Sequence, residues 1–328
     1  MTPQERLEAV KDEGFTTRQA QFLVTVMLHS GVCVLRQYSA HARLVHGQKT
    51  RDFFSSLVTR RLAKPYQAHR RARIFHVYGK RLYTAIGEAD NRNRKPITLA
   101  RAVERLMVLD AVLSEPDLRW LGTERDKVDY FLKTRLLRPS ELPAVSFGTP
   151  PRVTVRYFPE KLPIGVAADG IGHVFLYLVD RSAPVDFRAF VNRHAELLRA
   201  LPEWELRLLV PKPLYKVASV FEAAAHQEMA MPLRLGDMED LHWYFKQRRQ
   251  VDGGSGADDV ERFRESVRRF HAPRFRALYR LWKKEGDAHV HATVSHILDD
   301  ALSRRSGRVR SQVLTRSYQH LSPMVGSA

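Results

Sequence analysis

The 328-residue sequence predicts an α+β protein with more than one domain, because helical and strand periodicities alternate along it. Apolar residues recur at helical spacing in the N-terminal third, and two alternating segments follow at 64–68 and 73–78. A continuous apolar segment, 172–179, is typical of a strand buried on both faces of a sheet. We therefore expect four parts: an N-terminal unit at 1–90 made of helices and a hairpin, a helical connector at 91–150, an α/β domain at 151–250, and a linker with C-terminal helices at 251–328.

Composition narrows the class of protein. The chain has 54 Lys and Arg against 36 Asp and Glu, a formal charge of +18, and its single cysteine excludes both an intramolecular disulfide and a zinc finger. No apolar stretch approaches the roughly 18 residues that span a bilayer, and residues 1–14 do not resemble a signal peptide. We expect a cytoplasmic, nucleoid-associated protein without membrane contact, whose partner is a nucleic acid.

The positive charge is concentrated in two segments. Between Arg36 and Ile86, twelve Lys and Arg residues face one acid, Asp52. Between Glu261 and Arg310, thirteen face six acids. A basic run is often a solvated face, but concentration in a short segment broken by turns favours a surface that contacts phosphates.

Residues 16–62 predict three helices. The run Thr16-Thr17-Arg18-Gln19 is a capping box that begins the first helix, and Gly31 ends it. A strand stub follows at 32–34, then a second helix at 36–45 and a third at 49–62. Two strands joined by a basic turn then form a hairpin. This order predicts a winged helix-turn-helix, with the third helix in the major groove and the hairpin as the wing.

The third helix predicts the contacts to double-stranded DNA. One face is apolar, and the other carries amides, hydroxyls and guanidiniums, which hydrogen-bond base edges and phosphates. The expected DNA-binding residues are Gln48, Lys49, Thr50, Arg51, Ser55, Thr59 and Arg60 on the helix, and Arg70, Arg71 and Arg73 on the hairpin.

Three segments, residues 14–19, 51–62 and 73–87, resemble the replication-relaxation family of bacterial plasmids and mobile elements. The resemblance covers about the first two hundred and ten residues and implies a winged-helix regulator followed by a domain similar to the restriction-endonuclease fold. A metal-dependent nuclease of that fold needs an acid on one strand, then an acid and a lysine two residues apart on the next. By resemblance these positions fall at Pro163-Ile164-Gly165, which has no acid, and at Asp180-Arg181-Ser182, where serine stands in place of lysine. The resemblance therefore implies a degenerate domain in which Asp180 has a structural role.

The remaining sequence predicts an α/β domain and C-terminal helices. A strand, a helix and a strand follow one another at 172–179, 187–198 and 206–210, which predicts a crossover unit. Within it, Glu205-Leu206-Arg207 is interpreted as a solvated strand edge, and the aromatic run Trp243-Tyr244-Phe245 as part of a core.

Beyond a Gly/Ser linker at 251–259, apolar helix faces predict a homodimer, and 304–310 predicts a basic turn. No cofactor or metal is predicted, because His289, His291 and His296 do not share a helical face.

We expect a sequence-specific double-stranded DNA-binding protein, a regulator of transcription or replication rather than an enzyme. Two alternatives stay open at this point. One is a metal-dependent nuclease or nicking enzyme that the winged helix targets to DNA, and the other is a DNA-tethered protein scaffold. Magnesium-dependent cleavage distinguishes the nuclease, and reporter repression distinguishes the regulator from the scaffold.

Overall fold

A computed structural model describes residues 1–45, 47–67, 73–148, 152–230, 235–271, 273–287, 296–316 and residue 318. The described residues form α-helices and three sheets, of three, five and two strands, so the predicted α+β class is confirmed.

The N-terminal unit packs five helices around the three-stranded antiparallel sheet. The helices are α1 (Pro3–Asp12), α2 (Thr17–His29), α3 (Leu35–His41), α4 (Gln48–Thr59) and α5 (Lys80–Ala85), and the strands are β1 (Val32–Cys33), β2 (Ala63–Gln67) and β3 (Arg73–Val77). The strand order is β1-β3-β2. The predicted capping box begins α2. The Thr16 hydroxyl accepts a hydrogen bond from the backbone N–H of Gln19, and the Gln19 side-chain oxygen accepts one from the backbone N–H of Thr16.

Aromatic packing fixes the orientation of α4. Its Phe53 ring lies 4.4 Å from that of Tyr38 on α3, and its Phe54 ring lies 4.5 Å from that of Phe75 on β3. Phe53, Phe54 and Leu57 are buried in one core with α2. Because α4 is packed against neighbours on one side, only its opposite face meets solvent.

The second part of the chain is built on the five-stranded sheet. Its strands are β4 (Arg119–Leu121), β7 (Ile164–Val166), β8 (Gly172–Leu178), β9 (Glu203–Pro211) and β10 (Gly307–Leu314), while β5 (Ala144–Phe147) and β6 (Thr154–Tyr157) form a separate hairpin. The order is β10-β9-β8-β7-β4. Strands β8, β9 and β10 are parallel, and β7 and β4 pair antiparallel beyond them.

Helices cover both faces of this sheet. The helices described in this part of the chain are α6 (Leu99–Ser114), α7 (Glu124–Asp129), α8 (Val185–Ala200), α9 (Ala218–Ala230), α10 (Leu235–Asp252), α11 (Val260–Arg269), α12 (Pro273–Glu285) and α13 (His296–Ser303). Helix α6 packs on one face, and α8 and α9 share a core with the other. Because α6 also contacts α2, α3 and β1, it connects the sheet to the N-terminal unit.

Two predictions about secondary structure are wrong. The expected basic turn at 304–310 is largely strand β10, which pairs in parallel with β9. The expected helical connector at 91–150 also contributes β4 to the same sheet. Local periodicity could not predict β10, because its partner lies about a hundred residues earlier in the chain.

The predicted solvated edge at Glu205 and Arg207 is also wrong. Strand β9 lies between β8 and β10, so Glu205 and Arg207 are only 2% and 6% exposed. Glu205 forms ion pairs at 2.6 Å with Arg207 and with Arg308 of β10, and Arg207 also pairs with Glu115. The alternating charges neutralise one another inside the sheet domain.

The apolar faces of the C-terminal helices are covered within the chain. Tyr244 of α10 stacks on Phe270 at 5.7 Å, and Phe245 packs at the same distance from Trp282 of α12. The interpretation of 243–245 as core residues is confirmed for Tyr244 and Phe245, which are buried in this cluster. The described apolar faces therefore give no reason to expect a homodimer. Residues 288–295, which belong to the predicted C-terminal helices, lie outside the described residues.

Candidate nucleic-acid interface

The exposed face of α4 carries a central strip of polar side chains. Gln48, Asp52, Ser55 and Thr59 are exposed and recur every three or four residues, so they lie in one row along the helix. The Gln48 amide donates to the Asp52 carboxylate at 2.6 Å. The strip therefore offers amide, hydroxyl and carboxylate groups, the chemistry that hydrogen-bonds base edges.

Cations border this strip on both sides. At 100° per residue, Arg51 lies on one side, and Lys49 and Arg60 lie on the other, all three exposed. Arg60 is held in place, because it donates to the Glu13 carbonyl at 2.6 Å and lies 4.5 Å from the centre of the Phe15 ring. Lys49 and Arg51 form no ion pair with another described residue, so their charge is available to a phosphate.

The hairpin adds one cation on the same side as α4. Arg73 is exposed and lies two residues from Phe75 on β3, so both side chains leave the same face of the sheet. Phe75 packs against Phe54 of α4. Lys64 lies opposite His76 in the register of β2 and β3, so its side chain projects from the other face of the sheet. The sheet therefore separates Lys64 from Arg73.

Thr50 corrects the predicted site. Its side chain is fully buried, and its hydroxyl lies 3.2 Å from that of Ser39 on α3. The helical period places it on the packed side of α4 with Phe53 and Phe54, so it cannot meet DNA. The period also places Asp52, which was not among the expected contacts, at the centre of the exposed face.

The other expected residues divide into two groups. Those that the structure places on the surface are Gln48, Lys49, Arg51, Ser55, Thr59, Arg60 and Arg73. Arg70 and Arg71 lie outside the described residues.

Helix α3 is anchored to α6 by a partly buried polar cluster. The Arg36 guanidinium binds both carboxylate oxygens of Asp110, at 2.9 and 2.6 Å, and the Gln37 amide donates to the same carboxylate at 2.9 Å. The Tyr318 hydroxyl also donates to Asp110, at 2.7 Å. Burial opposes the charge on Arg36, but these partners outweigh it and raise its pKa. The charge of Arg36 is thus neutralised by Asp110, so Arg36 does not add to the exposed positive charge of the basic segment 36–86.

Two histidines of the N-terminal unit contribute no charge at neutral pH. Burial lowers the pKa of both His41 and His76 below the ordinary value of 6.5. The His76 Nε2 lies 2.9 Å from the Asn93 carbonyl. The positive potential near α4 therefore comes from Lys and Arg side chains.

Asp180, which the resemblance placed at a nuclease position, lies just after the end of β8. Asp180 pairs with Arg181 at 3.2 Å, and Arg181 also pairs with Asp186 at 2.8 Å. The neighbouring strand β7 follows Pro163 and has no acid. Across the described ranges, no group of three or more His, Cys, Asp or Glu side chains could hold a metal ion. Asp180 therefore has an ion-pairing role.

No helix among the described residues is both long enough and apolar enough to cross a membrane. No family model, curated protein or solved structure matches the chain. The resemblance to the replication-relaxation family stays a prediction.

Proposed function

We propose that the N-terminal unit is a winged helix-turn-helix that binds double-stranded DNA sequence-specifically, with α4 in the major groove. One observation carries this proposal: the exposed face of α4 is a strip of amide, hydroxyl and carboxylate groups bordered by cations that have no carboxylate partner among the described residues. A surface that only meets solvent has no requirement for a polar strip flanked by cations, or for so few acidic side chains near those cations.

The size of α4 supports this arrangement. Its 12 residues give a length of about 18 Å at 1.5 Å per residue, and a helix fits the major groove, which is about 12 Å wide. In that position Gln48 could bind adenine and Asp52 could accept from the amino group of cytosine. Arg51 and Lys49 at the borders could contact phosphates on the two strands.

The hairpin takes the role of the wing. Arg73 lies on the α4 side of the sheet, where it could contact the phosphate backbone next to the groove. We include Arg70 and Arg71 in the same proposal, on the basis of the sequence.

The biological role that follows is control of transcription or replication, in which the bound protein excludes or recruits other proteins. A DNA-tethered scaffold would use the same interface, and reporter repression distinguishes the two. Cleavage of DNA is not favoured, because Asp180 is engaged with Arg181 and the strand beside it has no acid.

The test compares two variants of the full chain that lose the same charge. Lys49→Gln/Arg51→Gln/Arg73→Gln alters the interface, and Lys246→Gln/Arg264→Gln/Arg268→Gln alters exposed cations on α10 and α11. A duplex selected from a random pool by the native protein is titrated at several salt concentrations.

We expect the interface variant to bind weakly and to reduce the slope of log affinity against log salt by about 3, since each lost phosphate contact contributes about 0.9. The control variant should bind as the native protein does. Equal losses in both variants, or native binding by the interface variant, would overturn the proposal.

A further inference from the structure

Four cations converge where the N-terminal unit meets the sheet domain. They are Arg92, in a 3₁₀ turn at Arg92–Arg94, Arg101 and Arg105 on α6, and Lys161, between β6 and β7. We call them the seam cluster. Arg92 donates to the Lys161 carbonyl at 3.5 Å, which joins the turn to the loop. Arg101 and Arg105 are four residues apart and so share one face of α6.

The charges of the seam cluster repel one another. Burial lowers the pKa of Arg92 to about 10, with further lowering by Arg105 and Arg101. Burial is the main cause that lowers the pKa of Lys161, and the positive charge of Arg92 lowers it further. Like charges four residues apart on a helix, as Arg101 and Arg105 are, destabilise that helix. Folding therefore gives no reason to place them together.

Arg6 and Arg188 are buried and each is paired with a carboxylate, whereas Arg92 is exposed and Arg105 is half-buried. Arg6 pairs with Asp126 at 2.8 Å, and Arg188 pairs with Glu228 at 2.5 Å. In the seam cluster, by contrast, Arg105 donates to the Ser30 carbonyl at 3.0 Å and Arg92 to the carbonyl of Lys161. A carbonyl fixes the direction of a guanidinium without cancelling its charge.

Glu104 pairs with Arg101, and the charge of Glu124 partly opposes the lowering of the Lys161 pKa. Among the described residues, Arg92, Arg105 and Lys161 have no ion pair, and each of the three reaches solvent. The cluster thus keeps an excess of positive charge at a place that a ligand can enter.

We propose that the seam cluster binds the phosphate group of a small ligand. Guanidinium N–H groups match phosphate oxygens in pairs, and a lysine beside them adds a point charge. An anion held here would relieve the repulsion among the four cations.

The position of the cluster separates it from the proposed DNA interface. His76 on β3 faces the turn that carries Arg92, because its ring contacts the Asn93 carbonyl. Phe75, the next residue along β3, leaves the opposite face and packs on α4. The three-stranded sheet therefore lies between the seam cluster and α4, so the two sites can bind independently.

In the first experiment, the full chain is titrated with inorganic pyrophosphate at constant ionic strength, and calorimetry measures the heat of binding. We expect saturable binding, weakened about tenfold or more by Arg92→Gln/Arg105→Gln, since each change removes a charge-assisted hydrogen bond. Arg92→Lys/Arg105→Lys should retain part of the affinity. Arg264→Gln/Arg268→Gln on α11, with the same loss of charge, should bind pyrophosphate as the native protein does.

Absence of saturable binding by the native protein would overturn the proposal, and so would native affinity in the Arg92→Gln/Arg105→Gln variant. Because Arg105 also contacts the Ser30 carbonyl, circular dichroism must show that each variant is folded. The native titration and the lysine variant decide the question even if the glutamine variant unfolds.

The second experiment adds the selected duplex to protein saturated with pyrophosphate. We expect both to bind together. Displacement of pyrophosphate by the duplex would assign the phosphate to the DNA backbone and overturn a small ligand as its source. Binding of the duplex only without pyrophosphate would likewise overturn two independent sites. A failure of the duplex to bind even without pyrophosphate would overturn the proposed DNA function, while the pyrophosphate titration would still test the seam cluster.

Discussion

The exposed face of α4 and the interior of the sheet domain use the same residue type in opposite ways. Lys49 and Arg51 on α4 are solvated and have no carboxylate partner among the described residues. In the sheet domain, Arg188 and Arg207 are buried, and each is paired with a glutamate. The sign of a side chain's charge therefore does not define its role. Its burial and its partners decide whether the charge stabilises the fold or remains free for a ligand.

The cause is the cost of removing a charge from water. A fully buried guanidinium without a partner costs several kcal/mol, so Arg188 and Arg207 each lie beside a glutamate. At the surface, water screens the charge, and an unpaired cation costs little. The two groups of cations should therefore respond very differently to mutation.

The largest effect is expected from breaking a buried pair. Arg188→Met leaves Glu228 buried without its cation and should lower the free energy of unfolding by about 3–5 kcal/mol, measured by urea denaturation. Arg188→Met/Glu228→Leu removes both charges and should recover most of this loss. If the two variants were equally unstable, the pairing of charges would not be what stabilises this part of the protein.

The next effect concerns Lys127, which is fully buried and donates to the Leu162 carbonyl at 2.6 Å. Burial, together with Arg92, lowers its pKa from 10.5 to about 7. Between pH 7 and 10.5 the unfolded chain holds a proton on Lys127 that the folded chain has released. The group therefore makes the free energy of unfolding rise with pH, by up to about 1.4 kcal/mol per unit.

Lys127→Met tests this directly, because it keeps an unbranched side chain only one atom shorter and removes the titrating group. The native protein should gain more stability than the variant between pH 7 and pH 9 in urea denaturation. Only the difference in slope is informative, since losing the hydrogen bond to Leu162 shifts stability equally at every pH. Parallel slopes would contradict the lowered pKa.

The smallest effect is expected at the surface of α4. Lys49→Gln/Arg51→Gln should change the free energy of unfolding by less than about 0.5 kcal/mol, because neither side chain has an ion pair to lose among the described residues. Thermal denaturation with the Arg188→Met variant as reference measures this. A loss comparable to that of Arg188→Met would show that these cations serve the fold.

Part of the candidate interface could be predicted from sequence. The capping box at Thr16 and the apolar positions of α4 were predicted because hydrogen bonds and packing three or four residues apart are local. The same helical period is sufficient to exclude Thr50 from the DNA contacts, because it places Thr50 on the buried side of α4 with Phe53 and Phe54. The surface position of Arg73 could be predicted, but the side of the sheet that it shares with α4 required the register of β3.

From the sequence alone, the α+β class, the three helices between residues 16 and 62 and the excess of cations around them could be predicted, whereas α1 (Pro3–Asp12) was missed. The tertiary structure decided which of those cations are free, because Arg36 meets Asp110 across 74 residues and Arg308 meets Glu205 across 103. It also decided that β10 joins the sheet beside β9. The physical reason is that helix periodicity and capping act between near neighbours, whereas ion pairing and parallel strand pairing depend on where distant segments meet.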